Sequence, residues 1–178
     1  RGDLMLKRLF LNVLNCEKYS VPVLVVHTPV ALTLSEICDQ RFVNLGNFAK
    51  QHGVTLAFEN ICYFDNLQHM LNLLPNSKFC WDIGHQHIFG DRKHFVPAFG
   101  DKLGALHIHD NDLISDSHLI PFEGRINFEE ATKELADSGY SGTMMLEILY
   151  TGQDPAEAYY TKAANAAKKL VEMVAANK

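Results

Sequence analysis

Five short apolar segments of this chain each end on a residue that can carry charge or hold a metal. Val23 and Val25 precede His27, Thr55 and Ala57 precede Glu59, and Cys80 precedes Asp82; Ala105 precedes His107 and His109, and Thr143 and Met145 precede Glu147. Side chains in an extended segment alternate between faces, so each of these sets lies on one face. Leu56 and Phe58, Phe79 and Trp81, Leu106 and Ile108, and Met144 and Leu146 take the opposite face. A single acidic residue at such a position is commonly a helix cap or a solvated anchor, but five polar ends together point to a shared site. Buried carboxylates are costly without a partner, so Glu59, Asp82 and Glu147 need a cation or a hydrogen-bond network to stay ionised. With His107 they form an oxygen-rich, hard ligand set suited to manganese, magnesium, cobalt or zinc.

The elements that must position these residues follow from apolar spacing, which switches repeatedly between a period of two and a helical period. It predicts strands over Val21–His27, Val54–Glu59, Lys78–Asp82, Gly104–His109 and Thr143–Ile148. Leu4 to Cys16 reads as an opening helix. Thr33-Leu-Ser-Glu36 is a capping box for a helix to about His52, stopped by Gly53. Asp65 caps a shorter helix ending near Leu74, and Arg92 to about Phe99 forms a further short one. Asn127 opens a helix closed by Gly139, and Asp154 as N-cap with Pro155 at the first helical position opens a long one reaching Asn177. Strand and helix repeated at this spacing imply parallel strands with right-handed crossovers, an α/β layer fold or barrel, read as one domain over residues 1–178. In such folds ligands bind at the carboxyl ends of the strands.

Composition narrows the function classes. A length of 178 residues with 47% hydrophobic content suits a single buried core and excludes global disorder. No run approaches the roughly 20 apolar residues of a membrane span, and the opening Arg-Gly-Asp-Leu shows no secretory pattern. A soluble, cytoplasmic protein without a membrane partner is expected. Acidic residues number 21 against 16 basic, a net charge of −5 that argues against nucleic acid as a partner. Cys16, Cys38, Cys62 and Cys80 lack CxxC spacing, which predicts reduced thiols rather than disulfides or a thiolate zinc site. The chain opens on Arg1 in mid-pattern with no initiator Met, as part of a longer polypeptide would.

The segments VVHTP, LAFEN, CWDIGH, LHIHDND, DSHLIPFEGRINF and MMLEI, in that order from Val21 to about Leu149, resemble the xylose isomerase-like (β/α)8 TIM barrels. That superfamily contains sugar phosphate isomerases and epimerases and the endonuclease IV class of apurinic endonucleases. The resemblance implies strands four to eight of the barrel, truncated to the carboxyl-terminal five βα units, with the first three strands missing. Either a missing amino-terminal segment or a second copy of the chain would then complete the barrel.

By this resemblance Glu59, Asp82, His107 and Glu147 correspond to the metal tetrad of the sugar epimerases. His85 corresponds to a histidine that supports the ligands or binds substrate in those enzymes and to a metal ligand in the endonucleases. His27, Asp116 and His118, with His85, match additional metal ligands of the endonuclease site. Pro121-Phe122-Glu123-Gly124 stands where the family commonly has Pro-Gly-x-Gly, which is closer to the isomerase branch. The implied activity is a metal-dependent isomerase or epimerase of a sugar or sugar phosphate. A divalent ion, manganese first with zinc, cobalt or magnesium as alternatives, would polarise a carbonyl, and Glu59 and Glu147 would move the neighbouring proton. Asn60 and Asp110 would orient the ligands. His109, inward or at the rim, and Arg125, like Arg92, are candidate substrate contacts, and His87 and His94 could line the mouth. His52 and His69 read as surface or capping residues, and Trp81 as helix-facing core. The rival readings are an endonuclease IV-like zinc phosphodiesterase on damaged DNA and an inactive partial barrel acting as a subunit.

Overall fold

The two-faced strand pattern folds as its periodicity demands. In the computed structural model, which describes residues 2–89 and 94–178, α1 (Gly2–Lys18) feeds β1 (Val23–His27), and α2 (Glu36–Gln51), β2 (Thr55–Glu59), α3 (Phe64–Leu73) and β3 (Lys78–Asp82) follow. The short helices α4 (Ile83–Ile88) and α5 (Val96–Phe99) lead to β4 (Leu103–Ile108), then α6 (Phe128–Asp137), β5 (Met145–Leu146) and α7 (Ala156–Ala176). The strands pair in sequence order, each parallel to the next. This is the order of a (β/α)8 barrel wall; a doubly wound sheet would reverse direction at a switch point. The chain is thus a five-stranded half-barrel, as the truncated-barrel reading expects.

The core lies between the outer sheet face and the helices. Leu56, Phe58, Phe79, Trp81, Leu106 and Ile108 pack there with Phe42 and Leu45 of α2, Leu67 and Met70 of α3, and Leu135 of α6. Trp81 belongs to this helix-facing core as expected, fully buried, its indole Nε1 donating to Gln86 Oε1 at 2.8 Å. On the inner face small Ala57 and Cys80, both fully buried, leave room directly below the strand ends.

Several boundaries differ from the sequence expectation, each for a local reason. α2 is capped by Ser35, whose side chain accepts from Cys38 N, and not by Thr33. α3 starts one residue before Asp65, so Asp65 lies in the first turn, where its charge meets the positive helix end. Pro155 itself takes the N-cap of α7, and the Asp154 carboxylate accepts from Lys162 Nζ at 3.0 Å. β4 ends at Ile108, because the backbone of Asp110 turns to pair with Leu119. β5 keeps only two ladder residues, since Leu149 N turns to the carbonyl of His118 at 2.9 Å. The helix expected from Arg92 begins outside the described residues, and α5 is its visible remainder.

Among the described residues no helix is long and apolar enough to cross a membrane, and all four cysteines are free. Among the described residues β1 pairs only with β2, which leaves His27 on an open edge with 65% of its side chain exposed.

Phe79 touches the rings of Phe95 and Phe99 from the middle of the sheet. Phe79→Ala should cost about 3–5 kcal/mol in denaturant unfolding; a loss near zero would show that the helix layer is not packed on this strand.

Candidate metal centre

The strand ends carry four ligand side chains into one place. Glu59 closes β2, Asp82 closes β3, His107 lies in β4, and Glu147 follows β5, its N–H held by the Ile108 carbonyl at 3.0 Å. One ligand atom from each of the four lies within 4.8 Å of all the others. His107 Nδ1 is 2.8 Å from Glu147 Oε2 and 3.4 Å from Glu59 Oε2. Register explains the meeting: Asp82 sits opposite His107 across the β3–β4 ladder, on the face that small residues keep open. Asn60 fixes Asp82 from both sides of its peptide, accepting from its N–H at 2.8 Å and donating to its carbonyl at 2.9 Å. Asp82 also caps α4, accepting from His85 N at 2.6 Å.

A second group adjoins the first. His85, His109, Asp116 and His118 also place ligand atoms within 4.8 Å of one another. His85 joins the two, with Nδ1 3.0 Å from Glu59 Oε1 and Nε2 3.4 Å from Asp116 Oδ2. His109 stacks on His118 at a centroid distance of 4.0 Å, and its Nε2 lies 3.2 Å from Asp82 Oδ1.

Burial raises the cost of charge here, and the histidines offset it. Burial pushes the Glu59 carboxyl up, but the adjacent His107 and His85 rings outweigh it and hold the group well below the usual range. His107 is drawn down by burial and raised more strongly by Glu147 and Glu59; His85 is raised likewise by Glu59, Asp82 and Asp116. The adjacent His107 ring lowers the Glu147 carboxyl. Burial, with the nearby Glu59, Asp82 and Glu147 charges, pushes the Cys80 thiol far up, so Cys80 forms a neutral floor although Glu59 and His107 are within reach.

The donor set fits a hard divalent cation. Glu59 Oε1, Asp82 Oδ2, His107 Nδ1 and Glu147 Oε2 are all buried, and none makes a hydrogen bond of acceptable geometry despite the short distances between them. Such buried, unsatisfied atoms are what a bound ion would satisfy.

A family model described as xylose isomerase-like TIM barrel matches residues 15–170. The chain belongs to that family. Fructoselysine 3-epimerase of Escherichia coli O157:H7 is 29% identical over 142 residues, 74% of this chain and 49% of that protein. The uncharacterized protein y4fM of Sinorhizobium fredii is 38% identical over 98 residues, 54% of this chain and 32% of that protein. The fold matches a crystal structure of a D-tagatose 3-epimerase-like protein with TM-score 0.74 at 21% identity, covering 97% of this chain and 70% of the other. The chain therefore spans half or less of the length of these two curated relatives.

Within this xylose isomerase-like frame the tetrad named from sequence comes together, as do His85, Asp116 and His118. His27 instead stands apart from the second group, its Nε2 3.5 Å from Glu59 Oε2 at the open edge. His109 takes its place there, and it is no rim contact: it is fully buried, because Gly84 has no Cβ to meet its ring. Arg125 is exposed, and among the described residues its side chain forms no ion pair with either group; Arg92 lies outside the described residues. His52 caps α2 beside Glu17, and His69 pairs with Asp39. His87 Nδ1 meets the Ile83 carbonyl and His94 pairs with Glu134, so neither joins the centre. What sequence reasoning missed is the support: Gly84 as space for His109, and the reach of Asp110. The signal was present in the DIGH and HDND runs, but only as residue types without geometry.

The shifted histidine and carboxyl groups imply a pH dependence. In the metal-free chain His85 is raised from 6.5 to about 9 and His107 to about 10, so their stabilisation is full below pH 6.5 and is lost as pH rises through 9 to 10. Glu59, lowered from 4.5 to about 2, contributes above pH 4.5 and fails as pH falls toward 2. Chelator-treated protein should therefore melt highest between these limits. Affinity for manganese should rise with pH up to about 10, because the ion must displace the His107 proton. Thermal melts and calorimetric titrations across pH check both; an affinity flat with pH would refute the proton–metal competition.

Proposed function

We propose that this chain is the metal-binding part of a metal-dependent isomerase or epimerase of a sugar or sugar phosphate, acting by proton transfer next to a carbonyl. The observation that carries the reading is the convergence of Glu59, Asp82, His107 and Glu147 with buried ligand atoms left unsatisfied. The epimerase relative supports the reaction class. Residues 1–178 act in this reading as one domain, and a preceding segment or a second copy of the chain closes the barrel.

Glu59, Asp82, His107 and Glu147 would hold the ion, manganese first and zinc, cobalt or magnesium otherwise. Bound there, a divalent cation supplies charge that polarises a substrate carbonyl and offsets the negative charge left by proton loss. Glu59 and Glu147 approach from the two flanks of the centre, one from β2 and one from beyond β5. Both are ionised near neutral pH, so each can take up and return a proton at the carbon beside the carbonyl. Glu147 has 41% of its side chain exposed against 1% for Glu59, so Glu147 is the one able to exchange its proton with solvent. His85, positively charged and only slightly exposed, would donate to a substrate hydroxyl or developing oxyanion. His109 supports Asp82 from behind. Arg125, exposed near the strand-end loops, is available to a substrate phosphate or carboxylate. The free cysteines agree with a cytoplasmic location.

The second group of His85, His109, Asp116 and His118 favours one other reading, a multi-zinc phosphodiesterase like endonuclease IV, against which the net charge of −5 argues. An inactive partial barrel acting as a subunit is the remaining alternative.

A panel of ketoses and their phosphates, incubated with the protein and manganese in deuterated water, should show exchange at the carbon beside the carbonyl. Glu147→Gln should abolish that exchange while leaving the circular dichroism spectrum unchanged; retained exchange would remove Glu147 from the proton-transfer role. Metal analysis separates the readings, because one ion per chain agrees with the isomerase and two or three zinc ions with the phosphodiesterase.

A further inference from the structure

The loop between β4 and α6 is built around one buried carboxylate. Asp110, fully buried, accepts four backbone N–H groups: Asn111 at 2.8 Å and Ile126 at 3.1 Å on Oδ1, Phe122 at 2.9 Å and Gly124 at 2.8 Å on Oδ2. Its own peptide pairs with Leu119 in both directions at 2.8 Å. One side chain thus pins the start, the middle and the return of the excursion from residue 111 to 126. Between those pins Leu113, His118 and Phe122 adopt positive φ of 66°, 47° and 76°, conformations that L residues hold only when neighbouring contacts impose them. Gly124 is packed so closely on this carboxylate that a Cβ would come within 2.4 Å of Asp110 Oδ1.

The far end of the loop reaches the metal centre. His118 Nδ1 lies 2.7 Å from the Glu147 carbonyl, and the His118 carbonyl accepts from Leu149 N at 2.9 Å. β5 has only two ladder residues, so beyond Leu146 the main chain around Glu147 is held by the Ile108 carbonyl and by His118.

We propose that Asp110 is a positioning residue for Glu147: its carboxylate sets the loop, the loop sets His118, and His118 holds the backbone that presents Glu147 to the other three ligands. Asp110 itself touches none of the tetrad side chains. The inference deepens the metal-centre reading and rests on it for its consequence, though the chain of contacts stands in the metal-free protein.

Two measurements test it. Asp110→Asn replaces one acceptor by an NH2 facing N–H donors. In metal-free protein it should speed hydrogen exchange at Leu149 N as well as at the loop amides of Phe122, Gly124 and Ile126, while the amides of Leu56 and Ala57 in β2 stay protected. Faster exchange in the loop with Leu149 unchanged, or acceleration throughout the sheet, overturns the proposal. Manganese titration of wild type, Asp110→Asn, Glu147→Gln and the double variant should show about tenfold or greater weakening for Asp110→Asn. The double variant should bind no more weakly than Glu147→Gln alone, because both changes remove the same ligand. Losses that multiply in the double variant overturn it. If wild type binds no manganese, the tetrad reading fails, and the Leu149 exchange result still decides the positioning role. Should Asp110→Asn not fold, Gly124→Ala disturbs the same carboxylate with Asp110 intact, and the same Leu149 readout applies.

Discussion

Concentrated negative charge in a water-poor place is the constraint from which the rest of this half-barrel follows. Glu59 and Asp82 are almost wholly buried, and Glu147 and Asp116 stand close by. Carboxylates at such spacing repel and are poorly solvated, so the site must carry compensating positive charge at every stage of its life. Two histidines supply it: His107 between Glu59 and Glu147, and His85 between Glu59 and Asp116. A divalent cation would displace some of those protons and take over the same task. A proton and a divalent cation would therefore compete for one set of atoms.

That charge could not be gathered without the asymmetry of the sheet. Large residues on the outer face, Phe58, Phe79 and Trp81 among them, anchor the strands to the helices. Small Ala57 and Cys80 on the inner face let the ends of β2 and β3 approach a common point. The parallel, sequential pairing then brings every carboxyl end to the same rim, so one residue at the end of each strand is enough to build the ligand set. Helix α4 begins directly after Asp82, and its first turn delivers His85 to the junction of the two groups.

The parts governed by periodicity were legible in the sequence. All five strands exist where the alternation placed them, and the inward ends Glu59, Asp82, His107 and Glu147 do meet. Features decided by tertiary competition were not legible. The alternation of Thr143 to Ile148 continues on paper, yet the strand stops after Leu146 because the His118 carbonyl competes for Leu149 N. His109 continues the β4 pattern, yet Asp110 leaves the ladder for Leu119 and carries the chain away from it. Asp154 has a good N-cap side chain, yet Lys162 takes its carboxylate. The resemblance assigns Asp110 to orienting the ligands; that it does so by gathering four N–H groups from residues up to sixteen positions away, and not by touching a ligand, is information no local pattern holds.

His85 ties the number of bound ions to the chemistry. Its Nδ1 faces Glu59 and the Asn60 carbonyl, while its Nε2 faces Asp116 in the second group. In the proposed isomerase reading the ring would keep its Nε2 proton and act beside the tetrad as a donor to a substrate oxygen. As a ligand of a cation in the second group, Nε2 would have to be unprotonated, and that donor would be lost. The two proposed readings thus make opposite demands on one ring. The isomerase reading would use His85 as a donor, and the multi-zinc phosphodiesterase reading would use it as a ligand. What would separate the two readings is whether a cation sits among His85, His109, Asp116 and His118.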